Sequence, residues 1–264
     1  VDAQRRVYAP FADTPTLVTK NKTAEMIKYA SNSVLATMIS FSNEFATLCS
    51  ALGDVDVADV MRGVHLARYF TSTLDDGRRV KAGIASFLWA GCGYGGSCLP
   101  KDTQALVAHG RAHGAPMPLL DAVIATNRGQ PARTVALLER HLPSLAGRRI
   151  GILGLAFKQD TDDMRESPAL PIIDLLLARG AQVAAFDPVA KATARAALGA
   201  RAVTLVDSLA AAVDGAEALV LVTRWDEFAQ LPALLAARAD PPLLVDGRRM
   251  IDPASVPRYD GIGR

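Results

Sequence analysis

The sequence has few cysteines, little net charge and no long hydrophobic run. Three cysteines in 264 residues, an odd number, are typical of reduced intracellular thiols rather than of a disulfide framework. The formal net charge of +2 gives no indication of binding to nucleic acid or to an acidic membrane. The longest apolar runs, such as Leu175–Leu177 and Ala218–Val222, are too short to span a bilayer. Because the start shows no secretory leader, we expect a cytoplasmic protein.

The first half of the sequence is predicted to be helical. Between Thr23 and Leu52 apolar residues recur at helical spacing, which predicts one helix of about 45 Å. The polar stretch 71–81 is predicted to be an irregular loop. Further helices are predicted over 55–63, 102–109, 119–127 and 132–142.

The second half alternates short apolar runs with helical patterns. The runs RRIGILGLAF, AQVAAFDP, EALVLVT and PPLLVDG are typical of buried strands. Residues 167–179 are predicted to form a helix with Ser167 as its N-cap. Strands that alternate with helices predict a parallel, doubly wound sheet. We therefore expect a helical central domain over residues 1–129, built on a long spine helix, followed by a Rossmann-like domain over residues 130–264.

One stretch, GCGYGGSCLPKD at 91–102, allows several interpretations. Its glycines match the G-x-G-x-x-G pattern of a dinucleotide loop, but no clear strand precedes them and a proline follows before any helix. A metal site at Cys92 and Cys98 would need further ligands nearby in the sequence, and we expect none. The remaining interpretations concern Cys98 alone, as a nucleophile or as an inert thiol.

Cys98 has the sequence context of a reactive thiol. Pro100 suits the first position of a helix, so Cys98 would lie at a helix N-terminus, where the dipole and Lys101 favour a thiolate. Asp102 would lie one turn further along and could face the same space. The alternative is a buried structural thiol, because free cysteines are usually buried and inert. The pattern alone favours neither interpretation.

Four motifs follow one another along the chain. They are AEMIKYASNSVLATMISFSNE at 24–44, GYGGSCLPKD at 93–102, GLAFKQDTDDMRESPA at 154–169 and DGRRMID at 246–252. Together they resemble the UDP-glucose/GDP-mannose dehydrogenase family. Members of that family begin with an NAD-binding Rossmann domain, and this chain, which opens on Val1 rather than Met, starts about where that domain would end. The resemblance therefore implies the central and C-terminal domains of a larger enzyme.

The resemblance implies an oxidoreductase of polysaccharide biosynthesis that uses two NAD⁺ to convert the primary alcohol of a nucleotide sugar into a carboxylate. Cys98 would be the nucleophile that forms a thiohemiacetal and then a thioester. Lys28 and Asn32 would stabilise the developing oxyanion, and Asp102 would activate water or move protons. Without the motif around it, an i, i+4 pair such as Lys28 and Asn32 is typical of a solvated helix face.

The resemblance also assigns binding residues. Lys101 and Arg165 would contact the NAD diphosphate, although Arg165 could instead pair with Asp162 or Glu166. The substrate contact that the resemblance assigns to Arg248 in DGRR could instead be made by its neighbour Arg249. The substrate contacts implied by the resemblance are Gly93, Tyr94, Gly95, Phe87, Phe157, Lys158 and Arg248.

Several alternatives stay open at this point. Tyr94 replaces the usual phenylalanine of the family, and Arg78, Arg79 or Lys81 could cross a dimer to the substrate. UDP-glucose is the default substrate, with GDP-mannose and UDP-N-acetylhexosamines as alternatives. The expected partner is a second copy of the chain, bound through the long helix. A stand-alone, non-catalytic nucleotide-sugar-binding and dimerisation module is the alternative to an enzyme. Asp187 resembles a ribose-binding carboxylate by position only.

Overall fold

The structure is a computed structural model that describes residues 2–11 and 15–264, so Val1 and positions 12–14 of the predicted first domain lie outside the described residues. Its first part is mainly helical, as predicted. The elements of this part are α1 (Asp2–Val7), α2 (Asn21–Leu52), α3 (Val57–Leu66), β1 (Thr71–Thr73), β2 (Arg79–Lys81), α4 (Leu99–Ala112) and α5 (Pro118–His141).

The second part is a parallel sheet with intervening helices. Its strands are β3 (Arg149–Leu153), β4 (Gln182–Phe186), β5 (Val203–Leu205), β6 (Ala218–Leu221), β7 (Leu243–Asp246) and β8 (Tyr259–Gly261). Its helices are α6 (Ala169–Ala178), α7 (Lys191–Leu198), α8 (Leu209–Val213) and α9 (Leu231–Ala236).

The strand order β5-β4-β3-β6-β7-β8 confirms the predicted doubly wound sheet, because every neighbouring pair is parallel. The chain winds outward from β3 in one direction and from β6 in the other. In such sheets ligands bind in the crevice where the winding reverses, outside the carboxyl ends of the strands. Strands β6 and β7 are buried along their whole length. The fold therefore places a candidate binding crevice where β3 and β6 end.

Helix α2 is the long helix that the apolar spacing predicts. Its 32 residues extend over about 48 Å, and it ends at Gly53, which has a φ of +68°. One face packs against α4 and α5, while apolar side chains on the opposite face stay exposed. A helix of this length carries groups from the first motif to both the loop at 91–97 and the outer surface.

Helix α5 replaces the two helices that the sequence predicts over 119–127 and 132–142. Pro131 lies inside it, where a proline costs a helix about 3 kcal/mol through the lost hydrogen bond and a steric clash. Packing of α5 against α2, α4 and α6 offsets this cost, which propensity alone could not show. The predicted domain boundary at residues 129–130 lies within this continuous helix, and the boundary stays a prediction.

The stretch 71–81 is a β-hairpin, so the prediction of an irregular loop was wrong. Thr71 pairs with Lys81 and Thr73 with Arg79, and Gly77 adopts a φ of +81° in the turn. Both strands are largely exposed, so they lack the apolar alternation by which a strand is recognised in a sequence.

Candidate active site

Residues 91–97 form a largely buried loop that two helices of the first part, α2 and α5, hold in place. The backbone N–H of Gly91 donates to Asn43 Oδ1 at 2.7 Å, from α2. From α5, Asn127 Oδ1 accepts from the N–H of Tyr94 at 2.8 Å, and Asn127 Nδ2 donates back to the Tyr94 carbonyl at 3.0 Å. Two asparagine side chains therefore replace the regular backbone pairing that a loop lacks.

The same loop is anchored to the sheet part through backbone groups. The N–H of Cys92 donates to the Gly247 carbonyl, and the N–H of Gly96 donates to the Arg165 carbonyl, both at 2.9 Å. A Cβ on Gly95 would overlap the carbonyl oxygen of Glu166 and lie 2.7 Å from its carbon. Glycine is required here because backbone meets backbone with no space for a side chain.

A chain of polar contacts joins α2 to the first turn of α4. Lys28 Nζ donates to Asn32 Oδ1 at 3.1 Å, and Asn32 Nδ2 donates to Asp102 Oδ2 at 2.5 Å. Lys101 Nζ lies 2.6 Å from Asp102 Oδ1. Burial by itself would raise the pKa of Asp102, but the contacts with Lys101 and Asn32 and the charges of Lys101 and Lys28 outweigh it and lower that pKa. Asp102 is therefore an anion at neutral pH. Its amide partner, Asn32, comes 70 residues earlier in the chain.

Cys98 is exposed and lies at the N-cap of α4. Its carbonyl accepts from the N–H of Asp102 at 2.9 Å, which closes the first turn of the helix. Cys49 and Cys92 are buried, and burial raises the pKa of the Cys92 thiol, whose Sγ lies 3.5 Å from the Val222 carbonyl oxygen. The interpretation of Cys98 as a buried thiol does not fit its exposure, whereas it does describe Cys92.

A cavity of about 610 Å³ opens beside the loop, at the carboxyl ends of β3, β6 and β7. Leu99, the residue after Cys98, lines it, while Cys98, Lys28, Asn32 and Asp102 are outside its lining. All the residues that were predicted to contact the substrate line this cavity: Phe87, Gly93, Tyr94, Gly95, Phe157, Lys158 and Arg248.

Other lining residues were missed by the sequence reasoning. Thr223 and Arg224 lie two and three residues after the end of β6, and their position after a strand at the winding reversal is a signal that could have identified them. Trp89 and Arg62 reach the cavity from the helical part, and no motif indicated them.

Arg248 and Arg249 have different contacts. Arg248 donates to the Gly93 carbonyl at 2.9 Å and to the Val222 carbonyl at 2.5 Å, so it joins the loop to β6 at the cavity wall. Arg249 also reaches the cavity, but its guanidinium pairs with Asp56 at 2.5 Å and its φ is +50°. Arg248 thus supports the loop at the cavity wall, and Arg249 joins the sheet part to the start of α3.

Asp187 is a structural carboxylate in this geometry. Its Oδ2 accepts from the N–H groups of Leu155 and Ala156 at 2.7 and 3.0 Å, and from Trp225 Nε1 at 3.1 Å. Buried and fully engaged, it holds the loop that carries Phe157 rather than facing a ribose.

Lys101 and Arg165 are exposed cations near the thiol. Their side chains are 67% and 69% exposed. Lys101 follows Cys98 by three residues in α4, and the carbonyl of Arg165 accepts from the N–H of Gly96 in the loop before Cys98. Arg165 pairs with Asp163 at 2.7 Å, rather than with the acidic neighbours considered from the sequence. The Asp163 carboxylate raises the pKa of Arg165. Both cations are paired with carboxylates in this structure, Lys101 with Asp102 and Arg165 with Asp163.

No helix within residues 2–11 and 15–264 is long and apolar enough to cross a membrane. In the same ranges, no group of three or more His, Cys, Asp or Glu side chains is placed to hold a metal ion.

The comparisons with known proteins define the class of this chain. Residues 22–129 match the central domain of the UDP-glucose/GDP-mannose dehydrogenase family, and residues 151–253 match the UDP binding domain of the same family. The chain belongs to this family.

Individual relatives agree with this assignment. A UDP-glucose 6-dehydrogenase of Pseudomonas aeruginosa is 43% identical over 98% of this chain, which covers 57% of that protein. The structure of a UDP-glucose dehydrogenase from Pyrobaculum islandicum matches 99% of this chain with a TM-score of 0.84 and 38% identity, over 56% of its own chain. A UDP-D-ManNAc dehydrogenase from Pyrococcus horikoshii matches 100% of the chain with a TM-score of 0.76 and 28% identity, over 57% of its own. The chain thus spans about half the length of the relatives it matches.

Proposed function

We propose that this chain is the substrate-binding and catalytic-thiol part of a nucleotide-sugar 6-dehydrogenase that oxidises UDP-glucose to the corresponding carboxylate. The observation that carries the proposal is the convergence of the predicted substrate residues on one cavity that adjoins the helix start at Cys98. In this proposal residues 1–129 supply the thiol, and residues 130–264 bind the UDP-sugar. A cytoplasmic location keeps the three free thiols reduced.

The nucleotide half of the substrate is proposed to bind at the end of β3. Phe157 and Lys158 both line the cavity, and Lys158 Nζ lies over the Phe157 ring, 5.7 Å from its centre, so the ring can contact a base and the ammonium can pair with a phosphate of the same nucleotide. Arg248 adds a second cation to the lining of the same cavity. The sugar then extends toward Gly93, Tyr94 and the thiol.

Oxidation of an alcohol to a carboxylate releases two hydrides, and NAD⁺, when bound, supplies their acceptor. Lys101 and Arg165 are proposed to hold its diphosphate, because they are exposed cations next to Cys98. The chain has no complete dinucleotide fingerprint after β3, where GILGLAF replaces it. We therefore expect this chain to bind substrate without oxidising it.

The side-chain contacts among Lys28, Asn32 and Asp102, which join α2 to α4, support a proposal for the thiol step. The Cys98 thiolate adds to the aldehyde carbon, a C–S bond forms, and the carbonyl electron pair moves to oxygen, which takes a proton to give a thiohemiacetal. Lys28 and the Asn32 amide are proposed to stabilise that oxygen while it is charged. After the second oxidation, Asp102 accepts a proton from the water that attacks the thioester, and cleavage of the C–S bond releases the thiolate.

The substrate is tested by calorimetric titration of the chain. UDP-glucose and UDP are expected to bind, because Phe157, Lys158 and Arg248 recognise the nucleotide, while GDP-mannose binds at least about tenfold more weakly, a difference of about 1.4 kcal/mol. No NADH is expected when NAD⁺ is added. NADH formation by the chain alone would contradict its assignment as only the substrate-binding and thiol part of an enzyme. Stronger binding of GDP-mannose or UDP-GlcNAc would identify that nucleotide sugar as the substrate instead of UDP-glucose.

The nucleophile is tested with the 6-aldehyde of UDP-glucose, labelled with ¹³C at C6. We expect a new resonance from a thiohemiacetal carbon, because an exposed thiol at a helix N-terminus adds to a bound aldehyde. The signal should be absent in Cys98→Ala and retained in Cys49→Ala, which removes a buried thiol. A signal that survives Cys98→Ala, or binding without any such signal, would remove Cys98 from the mechanism and favour a non-catalytic binding module.

A homodimer through α2 is also proposed. The exposed face of α2 carries an apolar stripe, defined as Ile27, Val34, Phe41, Phe45, Leu48 and Leu52, whose side chains are 37–65% exposed. Four of these residues recur every seven positions, the spacing of a helix that packs along a second helix. A continuous apolar surface of this kind is typical of an interface.

Phe41→Glu is expected to convert the dimer into a monomer, because it places a charge in the middle of the stripe. Light scattering should show the molar mass fall by about half. Val189→Glu, at an exposed apolar residue in the sheet part, serves as control and should leave the mass unchanged. An unchanged mass in Phe41→Glu, or a monomeric parent chain, would contradict the proposed interface.

A further inference from the structure

A second cavity, of about 270 Å³, lies between α2, α5 and the segment after β8. It shares no lining residue with the large cavity, and it is on the face of α2 opposite to the apolar stripe. Arg133 and Arg140 reach it from α5, and Asn43, Thr47 and Ser50 reach it from α2. None of the described residues that line it is acidic.

The Asn43 side chain has an unused hydrogen-bond donor at this cavity. Asn43 is only 1% exposed, and its Oδ1 accepts from the N–H of Gly91. Because a backbone N–H can only donate, this contact fixes the oxygen toward the loop and leaves Nδ2 as the other end of the amide. Nδ2 is buried and finds no acceptor within the described residues. A buried donor without an acceptor is unusual in a folded protein and points to a missing partner.

The two arginines are available to the same partner. No carboxylate in the described part of the chain pairs with Arg133. Arg140 Nη1 is 3.8 Å from Asp260 Oδ2, an oxygen that His141 Nε2 contacts more closely at 2.9 Å. The rest of the wall is largely apolar, with Ala46 and Leu137 among its residues.

We propose that this cavity binds a small phosphate monoester with a compact apolar body. The phosphate oxygens accept from Asn43 Nδ2 and pair with the guanidinium groups of Arg133 and Arg140, because guanidinium and amide donors match a tetrahedral oxyanion. The apolar body packs against Ala46 and Leu137. Since the Asn43 amide also holds Gly91, an occupant of this cavity contacts the side chain that anchors the loop leading to Cys98.

The test is an NMR titration of the ¹⁵N-labelled chain with phenyl phosphate. We expect saturable shifts of the Asn43 side-chain amide and of the Gly91 backbone amide. Inorganic phosphate should bind more weakly because it lacks the apolar body, and benzyl alcohol, which lacks the charge, should not shift these signals. This pattern separates recognition of the phosphate from partition into an apolar space.

Matched variants assign the site. Arg133→Ala changes an exposed side chain and should weaken binding at least about tenfold, whereas Arg195→Ala, an exposed arginine of α7, should not change it. Binding should also persist in the presence of saturating UDP, which keeps this test independent of the proposed substrate site. Equal affinity in Arg133→Ala, or shifts confined to the large cavity, would overturn the proposal.

Discussion

Replacing Gly95 by alanine is expected to lower the free energy of unfolding by about 3 kcal/mol or more, at the upper end of what overpacking costs. The added Cβ would overlap the Glu166 carbonyl oxygen and lie 3.2 Å from Ser167 Cα, and these backbone atoms cannot turn aside as a side chain can. Relief requires the loop to move away from the sheet part. Because Gly93 and Tyr94 of this loop line the large cavity, UDP-glucose binding should weaken by more than about a hundredfold, or 2.7 kcal/mol.

Urea denaturation and calorimetry measure the two effects. Gly129→Ala is the matched control, because its Cβ would meet nothing closer than Arg133 Nε at 3.7 Å. Gly129 lies inside α5, where alanine is a better helix former, so this variant should be more stable by about 0.5–1 kcal/mol. If Gly95→Ala retains the stability and affinity of the parent chain, the close approach of the two backbones is wrong.

Replacing Arg248 by alanine is expected to reduce the affinity for UDP-glucose by about thirtyfold, or about 2 kcal/mol, the typical value of hydrogen bonds to a charged group. Arg248 both lines the cavity and donates to the Gly93 carbonyl, so its loss removes a cation and a support of the loop. Calorimetric titration with UDP-glucose measures the change.

The neighbouring variant Arg249→Ala provides the contrast. It removes the partner of Asp56, and breaking this partly buried pair should lower the free energy of unfolding by about 2 kcal/mol with little change in affinity. The Arg249 contact lowers the pKa of Asp56, which burial alone would raise. If the two variants show the reverse pattern, the roles of the two arginines are exchanged.

The large features of the fold could be predicted because they follow from local regularities. The apolar spacing along α2 and the short apolar runs of β3, β4, β6 and β7 can be recognised from the local sequence, without knowledge of the rest of the fold. Strand β8 could not be foreseen, because its three residues, Tyr259–Gly261, have no apolar run and form a strand only by pairing with β7. The continuity of α5 through Pro131 likewise depends on its neighbours rather than on its own sequence.

The candidate site could be predicted only as far as its motifs extend. The motifs indicated Cys98, Asp102 and Asn32, but the contact between the last two joins residues 70 positions apart and exists only in the folded chain. The asparagines that hold the loop, Asn43 and Asn127, resemble ordinary helical residues in the sequence. Their importance depends on a backbone segment that packs against them from elsewhere in the chain.

The loop at 91–97 has a consequence for the evolution of specificity in such a chain. It takes its shape from Asn43 and Asn127 on one side and from the backbone at Gly247, Arg165 and Glu166 on the other. Under the proposed function, the sheet part could not be replaced by that of another protein to accept a new sugar, because its backbone helps to shape the loop. A change of sugar would have to arise from side chains around the cavity, while the glycines and the contacts on both sides of the loop are retained.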